Sequence, residues 1–179
     1  WNDIIRRGSQ SGMTEIEFLE AEIRRWRDSP RRHDMLTGIA YYDDHQKIED
    51  KQRLMIGKDG QKQAVHNLPN FRIMDNQYAK LVDQKSDYLL AKPLELKTEG
   101  QDGPYEKALD EIFNRKFMKT LKNVGKNAIN CGISWICPYV GDDGGLHMKK
   151  IPGHQVLPFW HDDDHTTLDS ALRIYPVTV

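Results

Sequence analysis

Two cysteines are all the thiol chemistry that 179 residues contain. Cys131 and Cys137 sit in a chain with no disulfide pattern around them, so a disulfide-stapled scaffold is excluded and reduced thiols are expected. Long apolar runs are missing too. No stretch approaches the ~18–20 residues a helix needs to cross a bilayer, and no signal peptide is recognisable. Charge of one sign is also lacking: 26 Lys and Arg face 27 Asp and Glu, for a formal net charge of −1. No global field draws such a chain to nucleic acid, and any contact with it must be local. There is no Walker sequence and no glycine-rich phosphate loop, which removes ATP hydrolysis from the readings. Internal repeats and low-complexity tracts are absent.

What is present is charge and helix. Charged residues make up 30% and hydrophobic ones 38%, a balance that favours a much-exposed helical shape or a piece of a larger assembly. The length suits one domain with a real core. The chain opens on Trp1 and closes on the apolar, strand-like run from Arg173 to Val179. Both ends look cut, and a fragment is expected, its apolar end from Ile174 to Val179 wanting a partner strand.

Residues 1–13 read as an arm. Thr14 with Glu17 forms a capping box, followed by a buried stripe of Ile16, Leu19, Ile23 and Trp26. Acidic residues load the first half of that helix and Arg24, Arg25 and Arg27 the last, matching its dipole. Ser29-Pro30 starts a second helix, with Met35, Ile39 and Tyr42 on one face. From Glu49 to Asn67 the chain is polar, with turn signals at Gly57 and Lys58-Asp59-Gly60, and a long mobile connection is expected. Asn70 to Pro93 reads as one amphipathic helix stopped by proline. Tyr78, Leu81, Val82, Tyr88 and Leu89 share its apolar face; Lys80, Asp83, Gln84 and Asp87 lie opposite. Trp26 and Tyr88 are the expected core anchors. Leu94 and Leu96 begin a strand. After a Glu99–Pro104 loop come a helix from Tyr105 to Arg115 and another through Phe117, Leu121, Val124 and Ala128 that ends at Cys131-Gly132. Ile133 to Val140 and Leu146 to Ile151 form a hairpin around Gly141–Gly145, with further strands at Val156–Phe159 and Leu172–Val177. The fold class is α+β, N-terminal helices followed by a small antiparallel sheet.

Several phrases resemble the portal proteins of tailed bacteriophages, in the branch found mainly in phages of Gram-positive bacteria. They are Asn76, Tyr78, Lys80, Val82, Asp83, Lys85, Tyr88, Leu89, Lys92 and Pro93, with Ala91 at a usual glycine. Tyr41-Tyr42 precedes Asp44 where that family has glycine, in a turn that must tolerate a side chain. The later phrases are Ala128, Gly132, Ser134 and Trp135; Ile151, Pro152, Gln155, Val156 and Pro158; Asp162 to Asp164; and Ala171, Leu172, Arg173 and Tyr175. Their order over residues 14–179 makes the match specific. The resemblance implies a portal wing region over 14–179, helical over about 14–131 and β-rich over about 132–179, without stem, clip or tunnel. It implies a structural subunit of a ring, dodecameric in the virion, at the capsid vertex. DNA is packaged and ejected through that ring. Implied partners are the major capsid protein, the large terminase subunit, a head-tail connector and double-stranded DNA. The implied location is the virion, with host cytoplasm during assembly.

Candidate chemistry is sparse, and no catalytic, cofactor-binding or metal-ligating residue is assigned. His161-Asp162-Asp163-Asp164-His165 offers hard ligands, but consecutive turn residues diverge and a solvated turn is preferred. A metal-dependent nucleic-acid enzyme using Asp162 to Asp164 is the alternative function. Cys131, Cys137, His147 and His154 lack zinc-knuckle spacing, and both cysteines are expected to be buried small hydrophobes. Gly141–Gly145 precedes a strand rather than a helix, so it is a turn and not a phosphate loop. Lys116, Lys119, Lys122 and Lys126 form a basic stripe on one helix. It is either a DNA-facing surface or a solvated outer face, and the latter is preferred because no aromatics are interleaved for stacking.

Overall fold

The computed structural model describes residues 12–94 and 103–177. Helix α1 (Glu15–Arg27) begins at the Thr14–Glu17 capping box, with both reciprocal bonds formed. Helix α2 (Pro30–Tyr42) starts from Ser29, whose side chain accepts from the Arg32 N–H, with proline in its first turn. A hairpin of β1 (Leu54–Ile56) and β2 (Lys62–Ala64) follows, then α3 (Gln77–Leu90), α4 (Gly103–Ile112) and α5 (Arg115–Cys131). Strands β3 (Ser134–Val140) and β4 (Leu146–Pro152) pair in antiparallel register from Ser134 opposite Pro152 to Val140 opposite Leu146. A single 3-10 turn (Gly153–Gln155) leads to β5 (Val156–Trp160), which pairs antiparallel with β6 (Leu168–Arg173). The α+β class therefore holds. Its strands, however, form three separate two-stranded sheets among the described residues rather than one small sheet.

The organising element is α5. Helices α2 and α3 and the β3–β4 hairpin pack on it, and small residues set the separations. A Cβ on Gly38 of α2 would lie 2.3 Å from the Asn130 carbonyl oxygen of α5. A Cβ on Gly125 would lie 2.8 Å from Leu90 and 3.5 Å from the Ser86 hydroxyl of α3. Ser86, almost fully buried, donates to the Lys122 carbonyl at 3.4 Å. At the far end, buried Asn127 accepts from the Gly153 N–H at 3.1 Å, which ties α5 to the 3-10 turn. Gly132 then takes the left-handed conformation, φ 75°, that ends α5 and turns the chain into β3. A second small core lies on β5, where Leu157 and Phe159 meet Phe18, Leu19, Ile23 and Trp26 of α1 together with Leu172 and Ile174.

Several expectations need correction. The stretch from Asn70 to Pro93 is not one helix: α3 starts at Gln77, because the Asn76 side chain caps it, accepting from the Ala79 N–H at 2.8 Å. The amide of Asn76 also donates to the Tyr41 and Tyr42 carbonyls, at 3.0 and 3.2 Å, and to the Asp44 carboxylate. That clamp joins α3 to the end of α2, where Asp44 adopts φ 68° as the turn requires. The inward ridge of α3 is Tyr78, Val82 and Ser86, spaced four apart. Leu81, Leu89 and the proposed anchor Tyr88 point to solvent. Trp26 does pack on the β5 core, half-buried, whereas Ile16 is exposed.

The polar connection from Glu49 to Asn67 contains the β1–β2 hairpin, turned at Gly57–Gly60 with Gly60 at φ 75°. The helix expected from Tyr105 to Arg115 stops at Ile112, and Asn114 caps a new one by accepting from the Lys116 and Phe117 N–H groups. Leu94 is in no strand. The arm (save Gly12 and Met13), Leu96 and the Glu99–Asp102 part of the loop lie outside the described residues, as do Thr178 and Val179. The last strand runs Leu168–Arg173 rather than from Leu172 to Val177. Past it, the Ile174 N–H turns to the Gln155 carbonyl at 2.7 Å, and Pro176 has no N–H for a ladder. Ile174 thus joins the core instead of awaiting a partner, although Val177 stays exposed. Cys131 is buried, but Cys137 is exposed, because β3 leaves α5 behind after its first residues.

The close approach at Gly38 yields a direct expectation. Gly38→Ala places a methyl against a backbone oxygen that cannot swing away, so α2 must shift on α5. Overpacking of this kind costs about 1–3 kcal/mol, a fall in melting temperature of roughly 3–10 °C at this size. An unchanged melting temperature would contradict the packing.

Candidate functional site

The basic stripe was the most specific site expectation, and the structure divides it. Lys116 and Lys119 remain exposed at the start of α5. Further along, Lys122 lies 3.0 Å from Asp87, and Lys126 lies 2.8 Å from Asp83, both on α3. The Tyr42 hydroxyl of α2 donates to the Asp83 carboxylate at 2.8 Å and accepts from the Lys126 ammonium at 3.3 Å. The last two lysines are therefore engaged by a neighbouring helix. In that triad the Lys126 bond holds the Asp83 carboxyl below its usual range, helped by the Tyr42 hydroxyl. The same bond from Asp83 raises Lys126. Burial, then the Asp83 hydrogen bond, raises Tyr42.

The fold assembles a second basic surface that sequence reasoning missed. A cleft of about 530 Å³ opens between α5 and the β3–β4 hairpin, and Thr120, Asn123, Tyr139, Lys149, Lys150 and Arg173 contribute to its wall. Arg173 is held there by two bonds from its guanidinium to the Gln155 side-chain oxygen, at 3.3 and 3.1 Å, and by stacking on the Tyr175 ring. The adjacent Lys149-Lys150 pair was the visible signal, but only hairpin register and the return of β6 bring Arg173 beside it. A smaller cleft of about 270 Å³ shares Asn123 and Lys150 and reaches Tyr42, Lys126 and His154. Burial, then the nearby charges of Arg32 and Lys150, lowers the His154 pKa, and its Nδ1 is buried without a hydrogen-bond partner among the described residues.

The sequence-level metal candidates do not become cages. His161 to His165 spans the turn between β5 and β6. Both Asp162 oxygens accept from the Thr166 N–H, one also from the Thr167 N–H and the other from the Thr166 hydroxyl. Those bonds, that of the Thr166 hydroxyl first, hold the exposed carboxyl at about 2. His165, at φ 57°, stacks on Trp160 with ring centroids 5.1 Å apart. Cys131, Cys137, His147 and His154 are not gathered. Cys137 stands opposite Lys149 on an exposed strand, and His147 bonds Asp143 at 2.9 Å. Among the described residues no group of three or more His, Cys, Asp or Glu is placed to hold a metal ion. Burial raises the Cys131 pKa, so that thiol is no ready nucleophile. Gly141–Gly145 is a turn, closed by the Gly141 N–H on the Gly145 carbonyl at 2.9 Å. Chemically, the arrangement can hold helices together and offer cationic surface.

The triad contributes to the pH dependence of stability at both ends of the range. Asp83, lowered in the fold, contributes stability above about pH 4 that is lost as pH falls through its lowered pKa. Lys126 and Tyr42, both raised, contribute stability below about pH 10 that is lost as pH rises through their raised values. With the pair partly open to solvent, Lys126→Met should cost about 0.5–1 kcal/mol near neutrality. It should also flatten the acid limb of urea midpoints measured from about pH 5 to 3. Parallel acid limbs in variant and parent would contradict the assignment.

The Phage portal protein, SPP1 Gp6-like, family model matches residues 27–178. The chain is also 26% identical to the portal protein of Bacillus phage SPP1 over 141 residues, 79% of this chain and 28% of that protein. The chain thus spans little more than a quarter of the length of this relative. No described helix is long and apolar enough to cross a membrane. With the match running from the end of α1 to beyond β6, the chain belongs to the SPP1 Gp6-like family of phage portal proteins.

Proposed function

We propose that this chain is the wing region of a portal subunit, with residues 1–13 as an N-terminal arm and 14–179 as the wing, and with stem, clip and tunnel lying elsewhere in the subunit. The observation that carries this reading is the family match across residues 27–178. In this role the chain is structural. Subunits form a ring, dodecameric in the virion, at a capsid vertex. Through it DNA is packaged and later ejected, with the major capsid protein, the large terminase subunit and a head-tail connector as partners. The subunit assembles in the host cytoplasm. Lys116 and Lys119, exposed at the start of α5, are the members of the basic stripe best placed to meet DNA phosphate, since Lys122 and Lys126 already serve α3. The rival reading, a metal-dependent nucleic-acid enzyme at Asp162 to Asp164, finds no support in the geometry, because the Asp162 oxygens are taken by Thr166 and Thr167.

Two measurements check the proposal. Electron micrographs of the complete gene product should show rings with a central hole. The same protein should neither hydrolyse ATP nor nick DNA in the presence of Mg²⁺. Nicking that disappears when Asp162, Asp163 and Asp164 are changed to asparagine would favour the rival.

A further inference from the structure

A groove follows α5 beside the β3–β4 hairpin, and cations line it. The cleft of about 530 Å³ shares Thr120 and Met148 with a notch of about 30 Å³ at Lys116. It shares Asn123 and Lys150 with the cleft of about 270 Å³ that reaches His154. The α5 wall of this continuous depression carries Lys116, Thr120, Asn123, Asn127 and Asn130. They recur every three or four residues and so share one helix face, about 21 Å long at the rise of an α-helix. Lys149 and Lys150 stand on the opposite wall, and Arg173 joins them from the end of β6. Lys116, Lys149, Lys150 and Arg173 form no ion pair among the described residues. Among those residues the groove is lined by a single carboxylate, Asp43, at its α2 end. That is a marked segregation in a chain where 27 acidic residues face 26 basic ones.

We propose that this groove seats the phosphodiester backbone of a nucleic-acid strand. It deepens the DNA contact assigned to Lys116 above, and it rests on the portal reading only for the source of the DNA. The groove is elongated, so it fits a run of consecutive phosphates better than one small anion. Its cations are interleaved with the neutral donors of Thr120 and Asn123, and such side chains position a sugar-phosphate chain without reading its sequence. Arg173 is preset for the task. Gln155 holds its guanidinium and the Tyr175 ring stacks against it, so little freedom is lost when it meets a phosphate oxygen. A protein segment is the poorer occupant. The buried centre of a protein interface is depleted in charge, and interfaces are depleted in lysine. Cations under such a cover would each need a matched carboxylate. Nucleic-acid interfaces are by contrast strongly cationic and wet, and Lys149 and Arg173 are exposed. Tyr139, also exposed in the groove, offers an unpaired strand a ring to stack on. Duplex and single strand are therefore the two sources of backbone to distinguish.

The test uses the complete gene product with two fluorescent probes, a short DNA duplex and its single strand. At least one should bind, with an affinity that falls as salt rises, and the tighter of the two names the source. Lys149→Gln/Lys150→Gln should weaken that binding at least about tenfold near 0.1 M salt and lower the slope of log affinity against log salt by about 1.5–2. Lys62→Gln/Lys80→Gln removes the same charge from exposed positions outside the groove and should leave the slope unchanged. Cys137 lines the groove and is exposed, whereas Cys131 is buried, which gives a readout that needs no substitution. Peptide mass mapping should show Cys137 alkylated by iodoacetamide, slowed by the DNA that binds and not by poly-glutamate of equal charge. Failure of both probes to bind, or equal loss in the two double variants, would overturn the proposal. So would protection by poly-glutamate as strong as that by DNA. A Cys137 unreactive before any probe is added would overturn it too, because the rest of the subunit would then already fill the groove. Each of these results leaves the portal reading standing, since ring formation tests that separately.

Discussion

Backbone contact between α5 and its neighbours is what the rest of the structure depends on. Gly38 sits against the Asn130 carbonyl, and Gly125 against Ser86 and Leu90; the Asn127 amide reaches the turn before β5. Small residues allow helices to approach until backbone and short side chains touch, and dense packing then gives no room for an added methyl. Because α5 is fixed in this way, β3 leaves it at a set angle through Gly132. The hairpin in turn delivers Lys149 and Lys150 to the wall of the large cleft. The ion pairs from Lys122 and Lys126 lie along the same α3–α5 seam and supplement contacts that sterics have already set.

A chain arranged around one helix has a modest interior. Its buried apolar residues are few among those described, and they fall in two groups, one along α5 and one where α1 meets β5. The larger share of the apolar side chains on α3 and around the β1–β2 hairpin lies at the surface.

Much of this was legible in the residue order. The Thr14–Glu17 box, Ser29-Pro30, Cys131-Gly132 and the glycine-rich Gly141–Gly145 turn mark their boundaries by local chemistry, and local chemistry survives folding. The α3 face was misread for an equally physical reason. Hydrophobic periodicity assigns Leu81, Tyr88 and Leu89 to the interior, but they are exposed, and the ridge that packs includes Ser86, which a hydropathy pattern discounts. The start of α3 was misplaced because the long-range bonds of Asn76 to Tyr41, Tyr42 and Asp44 are not local information. The lysine stripe was visible, but not that Asp83 and Asp87 on another helix would face half of it. Lys149, Lys150 and Arg173 could be joined only through strand register.

The most direct test of the account is amide hydrogen exchange along the described chain. The account predicts the slowest exchange in α5, above all at Asn127–Cys131, where the close contacts with α2 and the 3-10 turn converge, and much faster exchange in the exposed β1–β2 hairpin. Exchange along α5 as fast as in the hairpin would contradict it.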